Sequence, residues 1–202
     1  ETEALLGAPD LSTWIGRRDR ALLLLAVQTG LRVSELTGLG CGNVVLGAGA
    51  HVACSGKGRK QRCTPLRRDT IEVLAAWLRE RNGQADDPAF PSVRGGALSR
   101  DAVERLVTKH AETAGMACPS MKRKTVTPHV LRHTAAMDLL QHGVDRSVIA
   151  LWLGHESVET TEVYLHADME LKERALARTA PQKLRGVRIR PSDRLLAFLE
   201  SL

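Results

Sequence analysis

A chain of 202 residues, 43% of them hydrophobic, is long enough to bury a full core, and its length favours one domain with at most an appendage. Lys and Arg number 29 against 23 Asp and Glu, which gives a net charge of +6 and an isoelectric point near 9.5, so the surface attracts a polyanion, and nucleic acid is the obvious one. No apolar run approaches the ~20 residues that span a bilayer, and the acidic start Glu1-Thr2-Glu3 is unlike a secretory signal, so a soluble, cytoplasmic protein with no membrane partner is expected.

The chain begins without methionine and so reads as a fragment or a processed product. Ser12 or Thr13 caps a helix carrying Leu22, Leu23, Leu25, Ala26 and Val27, which stops at Gly30. A short second helix sets Arg32 and Glu35 three positions apart, on one face. His51 to Ser55 and Gln61 to Thr64 read as strands around Gly56-Lys57-Gly58-Arg59-Lys60, a turn whose tip presents the Lys57 ammonium. A helix from about Arg67 to Arg81 has Ile71, Leu74, Ala75 and Leu78 on its apolar stripe. Residues 82–98 are a Gly-, Pro- and Asp-rich loop.

Ser99 caps a helix over Arg100 to Ala114, and a second loop carries Lys122-Arg123-Lys124. Thr127-Pro128, hydroxyl at the cap and proline in the first turn, opens a helix from His129 to His142. Asp145 caps another that ends at Leu153; Ser157 or Thr160 begins a short one leading to Tyr164, the only tyrosine. A charged helix over Asp168 to about Thr179 follows, then a basic irregular stretch from Pro181 to Arg190 and a last helix with Leu195, Leu196, Phe198, Leu199 and Leu202 apolar. Cys41, Cys54, Cys63 and Cys118 show no CxxC spacing, against a zinc module; Cys54 and Cys63 flank the turn symmetrically, which allows a facing pair, but reduced, half-buried thiols are expected.

His129 and His133 stand at i and i+4, but Val130 occupies the position where a zinc-protease motif needs its glutamate. Taken singly, Arg32 with Glu35 reads as a surface ion pair, Lys57 as a solvated loop tip and Tyr164 as a packed aromatic. Their joint order reads otherwise: Thr29-Gly30-Leu31-Arg32-Val33-Ser34-Glu35-Leu36, Gly56-Lys57-Gly58, His129-Val130-Leu131-Arg132-His133, Leu153-Gly154-His155, then Tyr164. In this order the chain resembles the catalytic domain of the tyrosine recombinases, the integrase family that rearranges DNA through a phosphotyrosine bond.

The resemblance implies a mainly α fold with a small antiparallel sheet, strongest over residues 11–179 of a catalytic domain spanning 1–180. Residues 181–202 become a basic linker and a helix that docks on a neighbouring protomer, so a homo-oligomer on double-stranded DNA is expected; the helical core-binding domain that precedes this one in the family is missing from this chain. Family roles fall on Arg32, Lys57, His129, Arg132, His155 and Tyr164, with Glu35 in support. Arg59, Lys60, Arg62, Lys122, Arg123 and Lys124 are expected to contact the phosphate backbone, which positions a duplex without reading it.

The chemistry suits those groups. Rigid guanidinium forks match a phosphoryl oxygen better than a lysine point charge. A free phenol, with a pKa of about 10, needs a base such as His129, and the leaving 5′-oxygen needs an acid, for which Lys57 is the candidate. His155 is expected to donate to the scissile phosphate. A 3′-phosphotyrosyl intermediate conserves the energy of the broken bond, so neither ATP nor a metal or other cofactor is expected. Two rivals remain: a type IB topoisomerase-like relaxation, and a DNA-binding regulator with an idle site.

Overall fold

The computed structural model describes residues 1–55, 61–154 and 172–178. Helix α1 spans Thr2–Gly7 and α2 spans Trp14–Thr29. Of the two candidate caps, Thr13 is the one used: its hydroxyl accepts the Gly16 N–H at 3.0 Å. Leu22, Leu23, Leu24, Leu25, Ala26 and Val27 are all buried, so α2 is apolar around its whole circumference and serves as the core helix. It packs against α1, against α4 (Arg68–Arg81) and against α6 (Pro128–Gln141).

Gly30 ends α2 at φ +64, and a Cβ there would fall 2.6 Å from the Leu153 side chain. The chain then turns into α3 (Val33–Thr37) and a three-stranded antiparallel sheet in the order β1 (Val44–Val45), β2 (His51–Ser55), β3 (Gln61–Pro65). Val52 lies opposite Thr64 and Cys54 opposite Arg62, so these four share the buried face. Cys63 pairs with Ala53 and points the other way. Cys54 and Cys63 therefore do not face each other, and none of the four cysteines is in a disulfide, as the reduced-thiol expectation has it.

Helix α5 (Arg100–Ala117) runs one turn past the expected Ala114, since the Cys118 N–H still bonds the Ala114 carbonyl at 2.8 Å. Helix α7 spans Arg146–Leu153, with Asp145 as its cap. Ala136 and Leu139 of α6, Ile149, Trp152 and Leu153 of α7, and Ala175 of a helical stretch at 172–178 form a second apolar cluster. Two elements, α1 and β1, carry no local signature; α1 has no side-chain cap and stands by packing on α2 and α5, and β1 is only two residues paired to β2. The loop at 82–98 is irregular but anchored, with the Trp77 indole donating to the Ala89 carbonyl at 2.8 Å.

At the end of α2 remote from Gly30, Asp19 holds α5 and the loop together. Its Oδ1 accepts both Nε and Nη2 of Arg18 at 2.9 and 2.7 Å, its Oδ2 meets His110 Nε2 at 2.8 Å, and Arg18 reaches the Pro91 carbonyl at 2.8 Å. All three side chains are buried. Removing the carboxylate leaves a desolvated guanidinium without its counter-charge, so Asp19→Ala is expected to lower unfolding free energy by about 3–5 kcal/mol in a denaturant titration.

Candidate DNA cleavage site

A helix ends with carbonyls that have no partner inside it, and that end carries partial negative charge. At the C-terminus of α7 three successive carbonyls meet guanidiniums from three separate parts of the chain. Arg62 Nη1 donates to Trp152 at 2.7 Å, Arg132 Nη2 donates to Leu153 at 2.8 Å, and Arg32 Nη2 reaches Gly154 at 3.5 Å. Arg132 Nη1 also donates to the Gly30 carbonyl at 2.6 Å, and the Trp152 indole donates to that of Thr29 at 3.1 Å. The C-termini of α2 and α7 are thus stitched to each other through Arg132 and Trp152.

Gly154 continues α7 into a left-handed turn at φ +74 and lies so close to Arg62 that a Cβ would stand 3.0 Å from its Cδ. Among the described residues, Glu35 supplies the carboxylate of the cluster. Its Oε2 accepts the Arg32 backbone N–H and Arg62 Nη2, each at 2.7 Å, and its Oε1 lies 3.6 Å from Arg32 Nη1. The backbone bond is half of a capping box and explains the Arg32–Glu35 spacing: the carboxylate starts α3 and at the same time steadies two arginines.

Among the described residues, three guanidiniums meet one carboxylate here, an excess of positive charge. Burial, then the neighbouring Arg32 and Arg62 charges, push Arg132 down to about 10, with Glu35 acting the other way. The group stays charged at neutral pH, and an incoming anion relieves the repulsion. Arg132 is buried while the Arg32 side chain is 39% exposed, so the first is anchored and the second open to solvent.

The sequence-derived candidates divide clearly. Arg32, Glu35 and Arg132 converge at this point. His129 lies one turn before Arg132 on α6, exposed, its Nε2 2.6 Å from Nε2 of His133. Lys57, Arg59, Lys60, His155 and Tyr164 lie outside the described residues. Lys122, Arg123 and Lys124 are exposed, and Lys124 pairs with Glu1 at 2.7 Å. Arg62 is a correction: it is buried, its charge is met by the Glu35 carboxylate at 2.7 Å and its other terminal nitrogen by the Trp152 carbonyl, so it is an internal strut and not a duplex-backbone contact, whereas the partners of Arg132 are neutral carbonyls. The signal was available in the period-two pattern of β3, where Arg62 shares the inward face with Thr64. Among the described residues no three of His, Cys, Asp and Glu gather into a metal site, and no helix is long and apolar enough to cross a membrane.

A family model described as the phage integrase family matches residues 1–170. The chain belongs to the phage integrase family. Among relatives, y4rC of Sinorhizobium fredii, which bears an integrase/recombinase name, is 56% identical over 202 residues, covering 100% of this chain and 61% of its own length. Tyrosine recombinase XerD of Pseudomonas putida is 39% identical over 171 residues, covering 82% of this chain and 55% of XerD. The crystal structure of the XerH site-specific recombinase bound to its difH substrate superposes with a TM-score of 0.66 at 28% identity, over 86% of this chain and 48% of XerH. The chain therefore spans about three fifths or less of these integrase-family proteins.

Two variants test the arginine cluster. Arg62→Ala removes the shorter of the two guanidinium contacts to the buried Glu35 carboxylate and is expected to cost about 3 kcal/mol in a denaturant titration, whereas Arg62→Met combined with Glu35→Gln recovers most of it. Arg132→Lys puts a side chain of lower intrinsic pKa, about 10.4, into the same surroundings, where burial and the Arg32 and Arg62 charges lower the pKa of its ammonium further. A lowered cation is charged below its pKa and neutral above, so affinity of this variant for a phosphate-bearing duplex, relative to wild type, rises as pH falls from about 9 to about 7. A ratio that does not change with pH contradicts that expectation.

Proposed function

We propose that this chain is the catalytic unit of a site-specific recombinase that cleaves and rejoins double-stranded DNA through a 3′-phosphotyrosyl bond at Tyr164. The observation that carries the reading is the arginine cluster at the end of α7. It supplies a desolvated, preorganised cationic seat suited to the charge that develops on nonbridging oxygens as a fifth ligand approaches phosphorus.

The tether of Tyr164 supports the same reading. The segment that carries it leaves the described chain at Gly154, against Arg62, and rejoins it at Lys172, whose ammonium donates to the carbonyl of Cys63 at 2.9 Å. Both flanks of residues 155–171 are therefore anchored beside Arg62, within chain reach of the guanidiniums.

Arg32 and Arg132 bind the scissile phosphate, His129 accepts the phenolic proton, Lys57 protonates the leaving 5′-oxygen and His155 donates to the phosphate. Backbone contacts come from the exposed Lys122, Arg123 and Lys124, with Arg59 and Lys60 from the segment between β2 and β3. No cofactor takes part. The protein works in the cytoplasm, on the nucleoid, as a homo-oligomer joined through residues 181–202, and serves integration or excision of a mobile element.

The test does not require a defined target site. A pool of nicked duplexes with randomised flanks is incubated with the protein and denatured, and protein-linked strands are recovered and sequenced. Wild type is expected to yield an adduct with a 3′-phosphotyrosine at Tyr164 and an enriched sequence. Tyr164→Phe yields none yet still binds the enriched duplex, and Arg32→Ala or Arg132→Ala lowers adduct formation by roughly 10²–10³. Binding without any adduct in wild type would sink the reading in favour of an idle regulator.

A further inference from the structure

We propose that His133 is a positioning residue for strand cleavage: its Nε2 accepts the Nε2–H of His129, fixing that imidazole in the tautomer whose Nδ1 is free to take the proton of Tyr164. The inference rests on the function proposed for the chain and deepens it.

The geometry is specific. His129 and His133 are i and i+4 on α6, their rings cross at 90° with centroids 4.2 Å apart, and the two Nε2 atoms stand 2.6 Å apart. At that distance a single proton lies between them, since two lone pairs or two N–H groups would repel. Two arrangements satisfy this. If His133 donates, a neutral His129 must carry its own proton on Nδ1 and then has no nitrogen left to act as a base. If His129 donates, its Nδ1 lone pair is available.

Only the second arrangement is compatible with a base at His129. It gives His133 the part that a carboxylate commonly plays for a catalytic histidine. The carboxylate that α6 does carry, Asp138, is engaged elsewhere, 3.7 Å from Arg67 and 3.6 Å from His142.

The proton transfers balance. As the Tyr164 oxygen forms its bond to phosphorus, its proton passes to Nδ1 of His129. The proton on His129 Nε2 crosses to Nε2 of His133, so that His129 ends neutral and His133 ends as the imidazolium. Rejoining runs the same transfers backwards, returning the proton to the phenol when the 5′-oxygen expels it.

The experiment uses the full 202-residue chain, labelled with ¹⁵N histidine, in two measurements. At low temperature, wild type is expected to show a scalar coupling between the two Nε2 nuclei across the N–H···N bond, lost in His133→Phe. In single-turnover reactions on the enriched duplex, His133→Phe is expected to form adduct about ten- to a hundredfold more slowly with unchanged duplex affinity. His133→Gln, whose amide oxygen can accept the same N–H, recovers most of the rate.

No coupling in wild type, a His133→Phe rate equal to wild type, or a His133→Gln rate as low as that of Phe each overturns the inference. If wild type cleaves while His133 is dispensable, only this inference falls. If wild type makes no adduct at all, the underlying function falls with it.

Discussion

The carbonyls at the C-terminus of α7 hold three guanidiniums without neutralising them, and most of the site follows from that. A carboxylate for each arginine would orient the forks equally well, but would leave no net charge for a phosphate. Peptide dipoles orient through partial charge alone. Glu35 is the exception, and it commits its oxygens to the backbone N–H and guanidinium of positions 32 and 62, while Arg132 is held by the carbonyls of Gly30 and Leu153.

The same contacts are structural. Arg132 and Trp152 bridge the ends of α2 and α7, and Gly30 and Gly154 are required there because the chain must turn left-handed where neighbouring side chains leave no room for a Cβ. Burying Arg132 among other cations depresses its pKa to about 10, a repulsion that a bound anion relieves. Stability and the proposed phosphate binding draw on one set of groups here. The Asp19 network at the other end of α2 performs the opposite service, its carboxylate being committed to Arg18 and His110.

The roles proposed for Arg132 and His129 would place phosphate binding and proton transfer on adjacent turns of a single helix. Arg132 points inward from α6 to the carbonyls, whereas His129 and His133 lie together on its outer side. Because Thr127 and Pro128 fix where that helix begins, the offset between the two functions is fixed as well. This is a compact way for an integrase-family chain to present a charged seat and an imidazole to one reacting group.

Helix boundaries, capping residues and the presence of a small antiparallel sheet are readable from local chemistry: Thr13, Ser99, Thr127 and Asp145 cap as their side chains predict, and Gly30 and Gly154 stop helices as glycine does. The ordered motifs around Arg32 and Arg132 likewise name two members of the cluster. What sequence does not supply is the sign of burial at a charged strand position, so Arg62 reads as a surface contact although it is an internal strut, nor the register that sets Cys54 opposite Arg62 and Cys63 opposite Ala53. Nor can it show that His133 turns toward His129 at hydrogen-bonding distance. Local propensity acts within a few residues of chain, whereas register, burial and the meeting of Arg62 with Trp152, 90 positions later, depend on which elements share a core.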